Sequence, residues 1–176
     1  MFVPFAHVGT GVFAPVQLLP AFIALAGYSV RARTLARQGR PVPGLRMASF
    51  GIGIGLVVAA LVTPLAHLGG ELIFAHMAQH LLMADIGALL IVLGLTGPLL
   101  QPLLALPVIG KLRVFAHPVV AFSLWAIDLY AWHLPFLYQA ALSSQLVHAL
   151  QHTSFVFFGI GMWFALLGPL PQPAWF

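Results

Sequence analysis

Five runs of roughly 20 residues (12–29, 47–66, 72–95, 114–133 and 146–167) each hold at most one charged side chain. About 20 apolar residues in a helix cross the hydrocarbon core of a bilayer. The chain is therefore expected to fold as an all-α, polytopic membrane helix bundle of about five transmembrane helices, a single transmembrane domain over residues 1–176. Charged residues make up 6% of it against 61% hydrophobic, where a soluble domain is about a quarter charged. That excludes an ordinary water-soluble globule, and the apolar content excludes a disordered tail. The first run starts close to Met1 with no basic segment before it and no small-residue cleavage site, so it is read as a span and not as a removable signal. Between the runs lie Gln38–Gly44, Pro64–Gly70, Gly97–Gly110 and Leu134–Ser144, all carrying Pro, Gly or paired Ser that break helices.

Charge placement orients the weave. Arg31, Arg33, Arg37, Arg40 and Arg46 fall between the first two spans, and Lys111 and Arg113 between the third and fourth. Both connections lie on one side of a five-span chain, which the positive-inside rule makes cytoplasmic. The N-terminus is then outside. Topology accounts for the net charge of +4, and no soluble basic surface is left for nucleic acid.

The chain has no cysteine and eight histidines against three acids, Glu71, Asp85 and Asp128. Disulfides, thiolate metal sites and cysteine nucleophiles are excluded. Under the topology above, seven histidines (His7, His67, His76, His80, His133, His148 and His152) map to the outer third or the outer loops. Only His117 lies at the cytoplasmic end. At 1.5 Å per residue, His80 and His152 sit roughly 13 and 10 Å below their helix starts. Spans three and five repeat one motif, His76-Met77-Ala78-Gln79-His80 and His148-Ala149-Leu150-Gln151-His152, and reach matching exits at Gly97-Pro98 and Gly168-Pro169. Spacing i, i+4 puts both rings of a pair on one helix face. Gln79 and Gln151 are candidate partners that fix an imidazole tautomer. Met83 continues the face of His76, although packing explains a lone Met better, and Asp128 lies one and a half turns from His133, where it could orient an outer ring.

A membrane histidine can simply hydrogen-bond between helices. Two matched pairs at one depth, with His67 and His133 near that level, point instead to a metal site, since buried polar groups in a bilayer are expensive and usually functional. Imidazole suits copper, zinc and iron. Met77 stands where a zinc protease of the His-Glu-x-x-His type has its general base, so a zinc-dependent membrane hydrolase would need Asp128 or Glu71. Opposed imidazoles could also clasp a haem. Glu71 reads as a solvated helix N-terminal carboxylate, and Asp85 as a protonated or hydrogen-bonded interior group with no second buried acid to relay protons. Gly51-x-x-x-Gly55, Gly159 and Gly161 are read as close helix contacts, and Trp125, Trp132, Trp163 and Trp175 as interface anchors.

Several of these motifs, in this order, resemble the polytopic CtaG family of bacterial caa-type cytochrome c oxidase assembly factors. They are His76-Met77-Ala78-Gln79-His80-Leu81-Leu82-Met83 with Gly97-Pro98, His117-Pro118, Trp132-His133-Leu134-Pro135, and His148-x-x-Gln151-His152. The likeness covers Glu71 to Pro171. It implies a multi-pass protein of the bacterial plasma membrane that binds or transfers copper for the oxidase and is not an enzyme. Its partners would be the lipid bilayer and an oxidase subunit or another membrane redox complex. Carried over, it points to His76, His80, His133, His148 and His152 as metal ligands; His67 is added on depth alone. The family often has an acid where this chain has Gln151. It usually continues for about two more spans, so the chain is expected to lack the last ones. The other readings are a haem-binding or purely structural subunit of a membrane redox complex, and the zinc hydrolase.

Overall fold

The computed structural model describes residues 13–62, 72–106 and 112–168. Those residues are almost entirely helical and contain no strand. The helices are α1 (Phe13–Arg37), α2 (Gly44–Val62), α3 (Ile73–Gly94), α4 (Gly97–Leu104), α5 (Pro118–Trp132), α6 (Pro135–Ser143) and α7 (Gln145–Leu167). A short 3₁₀ turn, Leu112–Ala116, precedes α5. Of these, α2, α3 and α7 are each long and apolar enough to cross a membrane. Large apolar side chains such as Phe74, Leu81, Ile86 and Phe157 point outward. In water such exposure would be an aggregation hazard; facing lipid it costs nothing, so the molecule is an all-α membrane bundle.

The run expected as a single fourth span is divided. α5 ends at Trp132, His133 caps it, and α6 leaves at 70° to it. The cause is local: Leu134 is extended (φ −65°, ψ 136°) because the residue before a proline is driven out of the helical region. Pro135 then opens α6, where its missing N–H is not needed. The bent pair makes a fourth crossing only if both pieces count as one span. Likewise α4 forms inside the Gly/Pro-rich segment after α3, starting on Pro98.

α3 is the central helix, with α2 on one side and α7 on the other, while α5 packs on α7 and α1 touches α2, α4 and α7. Its buried residues come as doublets every four positions: Ala75/His76, Gln79/His80, Met83/Ala84, Gly87/Ala88 and Ile91/Val92. On a straight 3.6-residue helix a period of four drifts by about 40° per repeat, about 160° from His76 to Val92. The middle of α3, Leu81–Gly87, is a π-helix. Its wider i→i+5 turn takes up part of that drift and keeps the doublets facing the bundle.

Close packing rests on other glycines than the motif suggested. Gly51, Gly55 and Gly161 face open space. A Cβ at Gly53 would lie 2.7 Å from the Ile91 amide nitrogen, and one at Gly94 would lie 2.7 Å from that of Phe50, so α2 and α3 meet nearly backbone to backbone. Gly159 does the same for α7, resting on the Ala84 carbonyl of α3. Around the end of α3, polar groups from α1 and α2 take up main-chain carbonyls. Tyr28 donates to Gly94 (3.0 Å), Arg46 to Leu93 (2.9 Å) and Leu95 (3.0 Å), and Ser49 to Leu90 (2.8 Å). Arg31 donates to the Pro98 carbonyl of α4 (3.0 Å). Two of the five arginines read as topological signals are thus also caps for carbonyls that have no partner inside their helix.

Candidate metal site

The two His-x-x-Gln-His motifs occupy the same place on parallel helices. His76 and His80 are the fourth and eighth residues of α3, and His148 and His152 the fourth and eighth of α7. Below them the helices are pinned together where Gly159 meets Ala84; above that contact the imidazoles fill the gap. Within each helix the two rings are 4.2 Å apart between centroids. Across the gap, His80 and His152 are 5.6 Å apart and His76 and His148 are 6.3 Å apart. The separation grows away from the Ala84–Gly159 contact, as expected of two helices that diverge from it.

All four rings are buried, at 5, 4, 8 and 5% exposure for His76, His80, His148 and His152. Both ring nitrogens of His80 and of His152, and Nδ1 of His148, have no hydrogen-bond partner within the protein. A buried polar atom without a partner costs about 1–3 kcal/mol, so most native groups find one. Phe155 packs edge-on against His80 (4.5 Å), and Tyr138 of α6 stands edge-on to His76 (6.0 Å).

The other expected site residues are placed differently. Gln79 is buried, but its amide donates to the Ala60 carbonyl of α2 (2.9 Å) and not to an imidazole, so it ties α3 to α2. Gln151 is buried beside His152 in sequence, with Oε1 unpartnered. Met83 is fully buried on the quartet's face of α3, one turn beyond His80. Asp128 turns to α7: the Trp132 indole donates to Asp128 Oδ1 (3.1 Å) and to Ser154 Oγ (2.8 Å), so Trp132 is held inside the bundle by this pair. His133 is exposed at the α5–α6 bend, and its Nδ1 donates to the Leu129 carbonyl (2.6 Å). His67 lies outside the described residues, as do His7, Glu71 and Trp175. Asp85 is half-buried in the π-helical stretch.

Among the described residues, no three His, Asp or Glu side chains are arranged to hold one metal ion together. What the arrangement offers is pairs: two imidazoles facing each other across the gap, twice. Tyr138 and Phe155 were missed in the sequence. The segment Pro135–Ser143 carried a helix signal, Pro at the first position and then Leu137, Gln139, Ala140, Ala141 and Leu142, all good helix formers; its proline hid it.

A sequence model of the family described as cytochrome c oxidase caa3 assembly factor (Caa3_CtaG) matches residues 26–176. The chain belongs to this family. The match takes in both histidine motifs, the Gly94–Pro98 junction and the α5–α6 bend. Comparisons with curated proteins and with solved structures return no match. The assembly role follows from family membership, and it places the protein with an oxidase complex in a membrane.

Proposed function

We propose that this Caa3_CtaG protein holds or transfers copper for the oxidase at the histidine quartet, without catalysing a reaction. The observation that carries the reading is that His80, His148 and His152 bring five buried ring nitrogens with no partner inside the protein to one gap. Neutral imidazole is a copper ligand as it stands, and a metal would satisfy those lone pairs where protein groups do not. His76, His80, His148 and His152 are the ligands in this reading, with His133 and His67 as outer candidates along the path of the ion. The site opens to the extracytoplasmic side of a bacterial plasma membrane, with the arginine-bearing α1–α2 connection in the cytoplasm.

Haem fits the geometry less well. Its axial ligands must stand on either side of a flat macrocycle, and here each facing pair has a second pair 4.2 Å away in the same gap. A zinc hydrolase needs three protein ligands and an acid near the metal-bound water, whereas Asp128 is engaged by Trp132.

The test is elemental analysis and an optical spectrum of the purified protein, with oxidase copper measured in a strain lacking it. The expected result is bound Cu(I), lost in a His76→Ala/His148→Ala/His80→Ala/His152→Ala variant, and an oxidase depleted of copper with its polypeptides present. Iron with a Soret band, or a protein that takes up no Cu(I) under reducing conditions, overturns the proposal.

A further inference from the structure

We infer that the quartet is not one four-ligand centre but two successive two-coordinate stations for monovalent copper. The outer station is His76 with His148, and the inner one is His80 with His152. The inference rests on the copper reading above and specifies how the metal is held.

The distances carry it. Two imidazoles sharing a metal at about 2.0 Å from each nitrogen have ring centroids at most about 6.3 Å apart, reached when the three atoms are in line. The facing pairs stand at 5.6 and 6.3 Å; at about 2.0 Å per bond the outer spacing matches an in-line unit, and the inner one a unit bent to about 125° that opens to the line if the helices part by about 0.7 Å. The rings on a single helix, at 4.2 Å, are too close to place two nitrogens in line with one ion, and among the described residues no three ligands meet at a point. Zinc takes four ligands and divalent copper a tetragonal set. Monovalent copper, with a filled d shell, is content with two nitrogens in line.

The surroundings of the pairs also differ. Tyr138 borders only the outer pair, beside His76, and Phe155 closes on the inner pair at His80. Passage between stations is a ligand exchange. Bonds to His76 and His148 break as bonds to His80 and His152 form, copper stays monovalent, and the neutral rings keep their protons. Among the described residues no acidic side chain lies among the four rings, so two ions about 4 Å apart repel. In a medium of effective dielectric about 20, that repulsion weakens the second ion's binding by of order a thousandfold. One ion is therefore held at a time at low copper, and a second arriving at the outer station weakens the hold on the first.

The experiment is X-ray absorption of the full chain in detergent with Cu(I), plus titration against a competing Cu(I) chelator. The expected first shell is two nitrogens per copper, with a tight first equivalent and a second about a thousandfold weaker. A His76→Phe/His148→Phe variant and a His80→Phe/His152→Phe variant should each keep one two-nitrogen equivalent. A first shell of three or four nitrogens at one equivalent overturns the two stations and leaves the copper reading intact. So does loss of all binding in both double variants. No Cu(I) uptake by the wild-type chain overturns both, and the wild-type spectrum decides even where a variant does not fold.

Discussion

His80→Phe should make the copper-free protein more stable. Both ring nitrogens of His80 are buried without a partner, at about 1–3 kcal/mol each, so removing both recovers about 2–6 kcal/mol. Phenylalanine is slightly larger and must fit against Phe155, whose ring centroid is 4.5 Å from that of His80; overpacking costs about 1–3 kcal/mol. At the middle of both ranges the balance favours the variant by about 2 kcal/mol. At about 2–4 °C per kcal/mol for a chain of this size, the melting temperature rises by about 4–8 °C. The assay is thermal unfolding in detergent with a copper chelator present, followed by tryptophan fluorescence. Adding Cu(I) should stabilise wild type by about 2.7 kcal/mol at a hundred times its dissociation constant, and the variant by less. If copper-free His80→Phe melts more than 2 °C below wild type, the imidazole is satisfied in the native state, and the argument from unpartnered nitrogens fails with it.

Four further outcomes can be checked in the same assay. Gly53→Ala should destabilise by about 1–3 kcal/mol, because its Cβ meets the Ile91 amide at 2.7 Å, whereas Gly51→Ala and Gly55→Ala, in open space, should be neutral or gain up to about 1 kcal/mol from helix propensity. Tyr28→Phe keeps its stacking on Phe50 and loses the bond to the Gly94 carbonyl, for a loss of about 0.5–1.5 kcal/mol. Gln79→Leu leaves the buried Ala60 carbonyl without its donor and should cost about 1–3 kcal/mol; a drop in Cu(I) affinity larger than tenfold would return Gln79 to the imidazoles. Arg46→Gln should lower the melting temperature measurably and Arg37→Gln should not, since only Arg46 donates to the Leu93 and Leu95 carbonyls.

The helices and the candidate quartet were legible from residue type and spacing. Charge so sparse over runs this long leaves a bilayer as the solvent, and in a bilayer the backbone must be satisfied within each helix. Two identical His-x-x-Gln-His spacings name two pairs of residues, each pair on one helix face. The bend at Leu134-Pro135 was half-visible: the proline marked a break, but not that a second helix would start on it and bring Tyr138 to His76. Gly159 was read correctly as a close contact, but Gly51 and Gly55 were misread, because a Gly-x-x-x-Gly spacing reports what can pack closely and not which face of α2 does. That choice went to Gly53, opposite Gly87 and Ile91.

What the sequence determined by itself is local or solvent-driven: membrane residence, an all-helical backbone and two imidazole pairs, each on one face. Tertiary structure alone decided whether those faces meet. The rings face one another because Gly159 rests on Ala84 and the π-helical turn holds the four-residue doublets of α3 toward α7. Tertiary packing also sent Gln79 to α2 and the Trp132 indole to Ser154 of α7. The physical reason is that spacing along a chain sets directions around one helix axis, while distance and register between two axes depend on where their backbones can touch.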